Sequence, residues 1–307
     1  MTANPNAPPI ANFSSETAVV NRVRLHYWIG GDPKGIPVLL WHGFLGTAYS
    51  WHKVMPLLAE AGFSVLVPDM RGYGDSDKPA GIAGYDSLAL ADEFRALVRQ
   101  IKFGAGKPLL LAAHDMGGPP ALLWAAHYPD EVAGVLYMEV PVMLSEVLTK
   151  IFAYTPEAMK RGSFWWWILP LAPNVVESLI VGHERAFLTW FYETATANPD
   201  SISPTTVDEY LRSFSGIDGV LGAHGVYRAA FVTMDQTAPL TKQKVRIPVI
   251  ALGGEKSFGE KVPQMVALVA SSVEGQVIPD CGHFIPEEQP EEVFKYIKKL
   301  AENVARQ

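Results

Sequence analysis

The chain of 307 residues has a single cysteine, Cys281, and therefore cannot form an internal disulfide bond. A lone thiol is typical of proteins in a reducing compartment, so we expect a cytoplasmic protein. The first 13 residues have neither the basic segment nor the apolar segment of a secretory signal peptide. No uncharged apolar run reaches the ~18 residues that span a bilayer, so a membrane partner is not predicted.

Clusters of basic residues are also missing. The chain carries 25 Lys and Arg against 32 Asp and Glu, a net charge of −7, and its basic residues are scattered. A nucleic-acid surface needs a basic stripe or patch, so nucleic acid is excluded as a partner. The spacing typical of metal ligands is absent, and we predict neither a metal nor a cofactor. The 49% hydrophobic content is sufficient for one large domain, with or without an insertion.

The segment 109–118, LLLAAHDMGG, is the most informative part of the sequence. Its five small or apolar residues predict a buried strand, and the apolar stretch at 121–127 after two prolines predicts a helix. Asp115 thus lies in a tight turn before a helix, where the helix dipole and free N–H groups stabilise an anion. A carboxylate presented there can attack carbon and form an ester. In the alternative interpretation, Asp115 only caps the helix.

Short apolar runs alternate with helical patterns up to about residue 141, and such runs return after residue 240. Such runs predict strands near residues 17–20, 23–28, 36–41, 63–68, 109–113, 132–138, 247–252 and 273–278. This alternation is typical of an α/β fold with a mostly parallel central sheet. The aromatic, helical segment 142–240 interrupts it, so we expect a helical cap (lid) domain there. The core domain would comprise residues 1–141 and 241–307, with a disordered tail over 1–16.

Polar residues follow the carboxyl ends of the predicted strands, where such sheets bind their ligands. His283 follows the last strand in a Gly-His turn, from which an imidazole could reach Asp115 and activate a water molecule. Glu139 and Glu255 each follow another strand. Either carboxylate could hold the imidazole in the required tautomer, as the acid of a catalytic triad does.

Backbone groups can complete this chemistry. Phe44 follows the 36–41 strand, and its N–H group together with that of Met116 can form an oxyanion hole for a tetrahedral intermediate. We interpret His42 and His114 as structural residues that shape their turns. The Gly-rich loop 71–76 is also interpreted as structural.

Four motifs resemble those of the epoxide hydrolase and dehalogenase branch of the α/β-hydrolase superfamily: H-G-F-x-G, D-M-R-G-Y-G-D-S-D-K-P, A-H-D-M-G-G and D-C-G-H-F-x-P-E-E-x-P. The resemblance covers residues 17–300 and implies the α/β-hydrolase fold, with Asp115 as the nucleophile and His283 as the base. The motif Y-M-E-x-P resembles that of bacterial epoxide hydrolases and Cif-like proteins. It implies that Glu139 is the relay acid, with Glu255 as the alternative.

In this branch, donors in the lid assist the leaving group. Tyr227 lies in a matching V-Y-R motif, which implies that it protonates an epoxide oxygen. The other donor should fall where this chain has Trp165 and Trp166, which we expect to bind the substrate or the leaving group. An indole N–H donates a hydrogen bond but does not release its proton. Fluoroacetate dehalogenases carry arginines at the positions of Met116 and Pro119, so a neutral substrate is favoured here.

The sequence therefore predicts a hydrolase that forms an aspartyl ester and converts a small apolar epoxide to a vicinal diol. One alternative is a dehalogenase that releases halide from a neutral haloalkane or, less favoured, from a haloacetate. Another is a non-catalytic small-ligand receptor of the same fold. The expected partner is a small neutral organic molecule, and the sequence leaves a homodimer open.

Overall fold

The computed structural model describes residues 9–153, 155–156 and 165–306. Eight strands of these ranges form one sheet: β1 (Phe13–Val20), β2 (Val23–Gly31), β3 (Pro37–Trp41), β4 (Ser64–Pro68), β5 (Leu109–His114), β6 (Val132–Met138), β7 (Val249–Gly254) and β8 (Val273–Ile278). Their order is β1-β2-β4-β3-β5-β6-β7-β8. The β1–β2 and β2–β4 pairs are antiparallel, and every other pair is parallel. The predicted mostly parallel sheet is confirmed.

Helices cover both faces of the sheet. Those of the described ranges are α1 (Val54–Glu60), α2 (Ser87–Gln100), α3 (Gly118–His127), α4 (Ser145–Ile151), α5 (Trp165–Ile168), α6 (Val175–Ile180), α7 (Glu184–Ala195), α8 (Pro204–Phe214), α9 (Gly216–Ala223), α10 (Gly225–Arg228), α11 (Ala230–Thr237), α12 (Lys261–Val266), α13 (Ile285–Glu288) and α14 (Pro290–Ala305). Apolar residues of α2, α3 and α12 pack on one face, and those of α1 and α14 pack on the other. None of these helices is both long and apolar enough to cross a membrane.

The central strands are buried on both faces. In β3, Leu39 and Trp41 pack into one hydrophobic cluster, whereas Val38 and Leu40 pack into the other. Successive side chains of a strand point to opposite faces, so a strand covered on both sides must be apolar throughout. Full burial of each such side chain stabilises the fold by roughly 1.5–3 kcal/mol. This explains the uninterrupted apolar runs in the sequence.

The described part of residues 142–240 forms helices α4 to α11 and 3-10 turns, without a strand. We call this segment the helical insert. It leaves the sheet after β6 and returns before β7, and it lies over the edge formed by the carboxyl ends of the parallel strands, where its residues share a cavity with Asp115. Of the aromatic run at 164–167, Phe164 lies outside the described residues.

The prediction of a disordered tail over residues 1–16 is wrong for the last part of that range. Strand β1 begins at Phe13 and pairs along its whole length with β2, from Phe13 opposite Gly30 to Val20 opposite Val23. Ile10 is buried against the second cluster, which ties down the residues before the strand. The alternation of polar and apolar residues before Thr17 was too weak to reveal this pairing. Residues 1–8 of the expected tail lie outside the described residues.

A buried ion pair holds the Gly-rich loop after β4. Asp69 accepts hydrogen bonds from His26 Nδ1 at 2.6 Å, from the N–H of Ala48 at 2.6 Å and from the N–H of Asp75 at 3.0 Å. Burial opposes ionisation of Asp69, but the hydrogen bond and charge of His26 outweigh it and hold the pKa of Asp69 well below its usual value. The next residue, Met70, donates its N–H to His42 Nε2 at 3.0 Å, which connects this loop to the site.

Candidate active site

Asp115 lies at the turn between β5 and α3 in a strained backbone conformation. Its φ is +47°, in the left-handed region that residues with a Cβ rarely adopt. Such strain costs on the order of 1–3 kcal/mol and persists where the surrounding structure enforces it. The neighbouring backbone of Gly43 makes room for this turn, since a Cβ on Gly43 would lie 2.4 Å from the Cβ of Asp115. The turn directs the buried carboxylate toward the carboxyl edge of the sheet.

Two backbone N–H groups bind the Asp115 carboxylate. The N–H of Phe44 donates to Oδ1 at 2.7 Å, and the N–H of Met116 also bonds the carboxyl group. His42 holds the loop that carries the first of these donors. Its Nδ1 donates to the carbonyl of Gly43 at 3.0 Å, and its Nε2 accepts the N–H of Met70 at 3.0 Å. The predicted oxyanion-hole donors and Asp115 are therefore in contact.

His283 lies between two carboxylates. Its Nε2 is 3.5 Å from Oδ2 of Asp115, and its Nδ1 is 3.3 Å from Oε2 of Glu139. Glu139 is fully buried at the end of β6 with a φ of +53°, and its Oε1 accepts the N–H of Gly254 at 2.6 Å. The side chains of Asp115, His283 and Glu139 thus form one row of contacts with His283 in the middle.

The charges of these side chains alter the proton affinities of His283 and Asp115. Burial by itself would lower the pKa of His283, but the hydrogen bond to Glu139 and the negative charges of Asp115, Glu139 and Glu288 outweigh it, and the pKa is raised. Burial raises the pKa of Asp115, and the charge of His283 and the two backbone N–H groups oppose that effect. The pKa of His114, packed beside His283, is lowered well below its usual value by burial, so this second imidazole is neutral.

Glu255, the alternative acid, lies elsewhere. Its carboxylate accepts the N–H of Asp280 at 3.2 Å and pairs with Lys256 Nζ at 3.0 Å. Its side chain is about half exposed, at 48%. Strand β7 ends at Gly254, and the side chain of Glu255, the next residue, points toward solvent. Of the two candidate acids, only Glu139 contacts His283.

A cavity of about 520 Å³ lies above Asp115 and His283, between the sheet edge and the helical insert. Its lining is rich in aromatic residues, namely Phe44, Trp166, Trp167, Trp190, Phe191, Tyr227, Phe258 and Phe284. Exposed polar residues of the lining, namely Thr194, Glu255 and Lys256, mark its mouth. Such a cavity fits an organic molecule that is apolar over most of its surface.

Tyr227 is buried in the cavity wall, and its ring packs edge-on against that of Phe44 at 4.8 Å. Burial and the charge of Asp115 raise the pKa of its phenol well above the usual value. The ring of Trp167 lies 5.0 Å away. A protonated phenol and the nucleophile candidate therefore face the same cavity.

Of the tryptophans expected to bind the substrate, Trp166 lines the cavity, whereas Trp165 is not among its lining residues. That Trp165 binds the substrate therefore stays a prediction, and its present packing has a geometric reason. Successive residues of α5 point about 100° apart around the helix axis, so neighbouring tryptophans face different surroundings. The ring centroid of Trp165 lies 6.1 Å from that of Phe187 and 5.5 Å from that of Trp190, both within the insert. Trp167 takes its place at the cavity.

Sequence reasoning did not single out several residues that line the cavity or surround His283. Trp167 belonged to a recognised aromatic run, but the phase of a four-residue helix cannot be read from three consecutive tryptophans. Phe191 and Trp190 come from α7, whose helical pattern gave no indication of which face covers the site. Glu288 lies within a motif that the resemblance had already singled out, five residues after His283.

The chain is similar to known hydrolases. A family model described as the alpha/beta hydrolase fold matches residues 36–163. The soluble epoxide hydrolase of Corynebacterium sp. (strain C12) is 29% identical over 90% of this chain and 93% of that protein. The fluoroacetate dehalogenase of Burkholderia sp is 23% identical over 94% and 93%, respectively. The crystal structure of Cfl2 from Burkholderia cenocepacia superposes with a TM-score of 0.87, at 32% identity over 97% of each chain.

These similarities extend over the sheet, the helical insert and the strand ends that carry Asp115, Glu139 and His283. The named relatives, epoxide hydrolases and a dehalogenase, are all hydrolases. The chain therefore belongs to the α/β-hydrolase superfamily, in the branch of the epoxide hydrolases and dehalogenases.

Proposed function

We propose that the protein is an epoxide hydrolase in which Asp115 is the nucleophile and a small, neutral, mostly apolar epoxide is opened to a vicinal diol. The environment of Asp115 supports this most directly. One carboxylate oxygen accepts the N–H of Phe44 at 2.7 Å, which leaves the other, 3.5 Å from His283 Nε2, to react. A nucleophile whose spectator oxygen is already in an oxyanion hole suits a covalent ester mechanism.

In the first step, Oδ2 of Asp115 attacks a ring carbon of the epoxide. The carbon–oxygen bond of the ring breaks and its electron pair stays on the oxygen, which takes the proton of the Tyr227 phenol. The product is an alcohol esterified to Asp115. The greater basicity of an alkoxide than of a phenolate drives this transfer, and burial, which raises the pKa of Tyr227, opposes it.

In the second step, His283 takes a proton from water while the water oxygen attacks the ester carbonyl. The negative charge develops on Oδ1, which the N–H of Phe44 binds, and the N–H of Met116 also stabilises the carboxyl group. The tetrahedral intermediate then releases the diol oxygen, which is protonated by His283. The proton of the regenerated Asp115 carboxyl restores Tyr227.

The electrostatic interactions among Asp115, His283 and Glu139 favour this order of events. In the free protein, the charge of Asp115 helps to raise the pKa of His283. Ester formation removes that charge, so the pKa of His283 falls at the stage when the imidazole must be neutral to accept a proton. The carboxylate of Glu139 lies behind the imidazole and stabilises the imidazolium that forms.

The cavity favours a neutral substrate. Among the described lining residues the one Lys or Arg is Lys256, which is exposed and paired with Glu255 at 3.0 Å. Met116 and Pro119 stand where fluoroacetate dehalogenases carry arginines. We further propose that residues 142–240 act as a cap domain on a core of residues 1–141 and 241–307, so that the aromatic side chains of the insert exclude water from the ester.

The second candidate function is release of halide from a neutral haloalkane. Its support is the pair of indoles, Trp166 and Trp167, on the cavity wall beside Tyr227. Hydrogen-bond donors can cradle a departing halide, which leaves as the free ion and needs no proton. The similarity to a fluoroacetate dehalogenase also favours this chemistry.

The role of His283 predicts that His283→Gln accumulates the ester. The substitution leaves attack by Asp115 possible but removes the base of the second step. Intact-mass spectrometry after addition of styrene oxide should show a stable adduct on the variant, which peptide mapping places on Asp115. A wild-type enzyme that turns over while His283→Gln forms no adduct would contradict the assignment.

The relay role of Glu139 predicts a large difference between two matched variants. Loss of the orienting carboxylate of a triad costs on the order of 10⁴-fold in rate, so Glu139→Gln should lose most of its turnover. Glu255→Gln removes a carboxylate with no contact to His283 and should stay near wild type. Steady-state diol formation measures both, and a crippled Glu255→Gln beside a normal Glu139→Gln would reverse the assignment.

Tyr227→Phe distinguishes the two candidate reactions. An alkoxide is a poor leaving group without a proton, so the variant should nearly lose epoxide opening, whereas halide release should only weaken. The measurement is a panel of styrene oxide, epihalohydrins, haloalkanes and haloacetates, assayed for both diol and free halide on the wild type and the variant. Halide from simple haloalkanes with no diol from any epoxide would replace the epoxide proposal by the dehalogenase one.

A further inference from the structure

The backbone of His283 is held from two sides. Its N–H donates to the carbonyl of Ala195 in the helical insert at 2.7 Å, and its carbonyl accepts a hydrogen bond from His114 Nε2 at 2.7 Å. The insert also packs directly on Gly282, since a Cβ there would lie 2.3 Å from the Ala195 carbonyl oxygen and 2.6 Å from the nitrogen of Ala197. The turn that carries the base is therefore in direct contact with the insert.

One carboxylate binds the amides on both sides of His283. Glu288, at the end of α13, accepts the N–H of Gly282 at 2.9 Å on Oε2 and the N–H of Phe284 at 3.0 Å on Oε1. The same Oε2 also accepts the N–H of Ala197 in the insert at 2.7 Å. Hydrogen bonds from N–H groups to a carboxylate are stronger than neutral ones, so Glu288 joins the base turn and the insert at a single point.

We propose that Glu288 is a positioning residue: it fixes the turn that carries His283 and couples the position of the insert segment 195–197 to the alignment of the imidazole. This inference rests on the proposed function in assigning His283 to the hydrolysis step. The side-chain contacts of His283 are long, 3.3 Å to Glu139 and 3.5 Å to Asp115, so the backbone of its turn shares with Glu139 in fixing the position of the ring. Misplacement of a catalytic group by about 1 Å can cost on the order of 10²-fold.

The charge of Glu288 also acts on His283. The titratable groups that face this imidazole are Asp115, Glu139, Glu288 and His114, and burial makes His114 neutral. Once Asp115 is esterified, Glu139 and Glu288 are the carboxylates that remain around the base. Removal of the Glu288 charge should therefore lower the pKa of His283 and move the rise of ester hydrolysis with pH to lower pH, because the neutral imidazole is the active form.

Glu288→Gln is the test variant, and Glu287→Gln is its matched control. The amide of Gln has the size of the carboxylate, but it loses the charge and turns a donor toward one of the three N–H groups. Glu287 lies in the same turn and also joins core and insert, since it accepts the Tyr210 hydroxyl and pairs with Lys53 at 3.1 Å. Its carboxylate does not contact the turn of His283.

Rapid-quench mass spectrometry of styrene oxide turnover separates formation of the ester from its hydrolysis. Glu288→Gln should slow hydrolysis by about tenfold to about a hundredfold, change ester formation by less than about twofold, and shift the pH profile of hydrolysis to lower pH. Glu287→Gln should leave the ratio of the two rates and the pH profile unchanged. Equal effects of both variants, or an equal loss in both steps, would overturn the inference.

A measurement on the free protein keeps this test independent of the proposed function. Titration of the imidazole of His283 by NMR should give a lower pKa in Glu288→Gln than in wild type, and no shift in Glu287→Gln. If His283→Gln forms no adduct with any substrate, the proposed function fails, and this titration still decides the positioning role. An unchanged His283 pKa and line width in Glu288→Gln would overturn that role.

Discussion

The hydrogen bond from the N–H of Phe44 to Oδ1 of Asp115, 2.7 Å long, is the interaction on which the site depends. It requires β3 and β5 to end side by side, because Phe44 and Asp115 follow these two paired strands. It also requires Asp115 to adopt a φ of +47°, which places the carboxylate over the loop that carries the donor. The buried strands provide the rigidity that maintains this strain, and the close approach at Gly43 leaves no room for a side chain.

Three carboxylates around one imidazole form the second constraint. Asp115 and Glu139 contact the two ring nitrogens of His283, and Glu288 binds the backbone on either side of it. Burial of so much charge is costly, and the structure offsets that cost with backbone N–H groups and with the charge of His283. Glu139 has Gly254, Asp115 has Phe44 and Met116, and Glu288 has three amides. A set of carboxylates held in this way is preorganised, because none of them must move to receive a proton or a substrate.

The sheet and the line of Asp115, His283 and Glu139 were open to prediction from the sequence for one physical reason. Strands buried on both faces must be apolar, so their ends are visible as abrupt changes to polar residues, and the ends of parallel strands meet at one edge. Glu139 and Glu255 both follow such ends, and only the geometry separates them: Glu139 turns toward His283 and Glu255 turns toward Lys256.

The insert was predictable in composition but not in detail. Its helices are short, and three consecutive tryptophans carry no periodicity, so the sequence favoured Trp165 where the structure brings Trp167 to the cavity. Contacts made between backbone and side chains across long separations were equally invisible. Glu288 binds the N–H of Ala197, 91 residues earlier, and no local pattern reports such a contact.

The central claim is that the carboxylate of Asp115, and not a water molecule, attacks the substrate. A single turnover of styrene oxide by excess enzyme in heavy-oxygen water tests it directly. Water attacks the ester carbonyl in the proposed mechanism, so the heavy label should appear in the carboxylate of Asp115, and the first diol should carry an unlabelled oxygen taken from that carboxylate. Heavy oxygen in the first diol, with Asp115 unlabelled, would show direct attack by water and contradict the account.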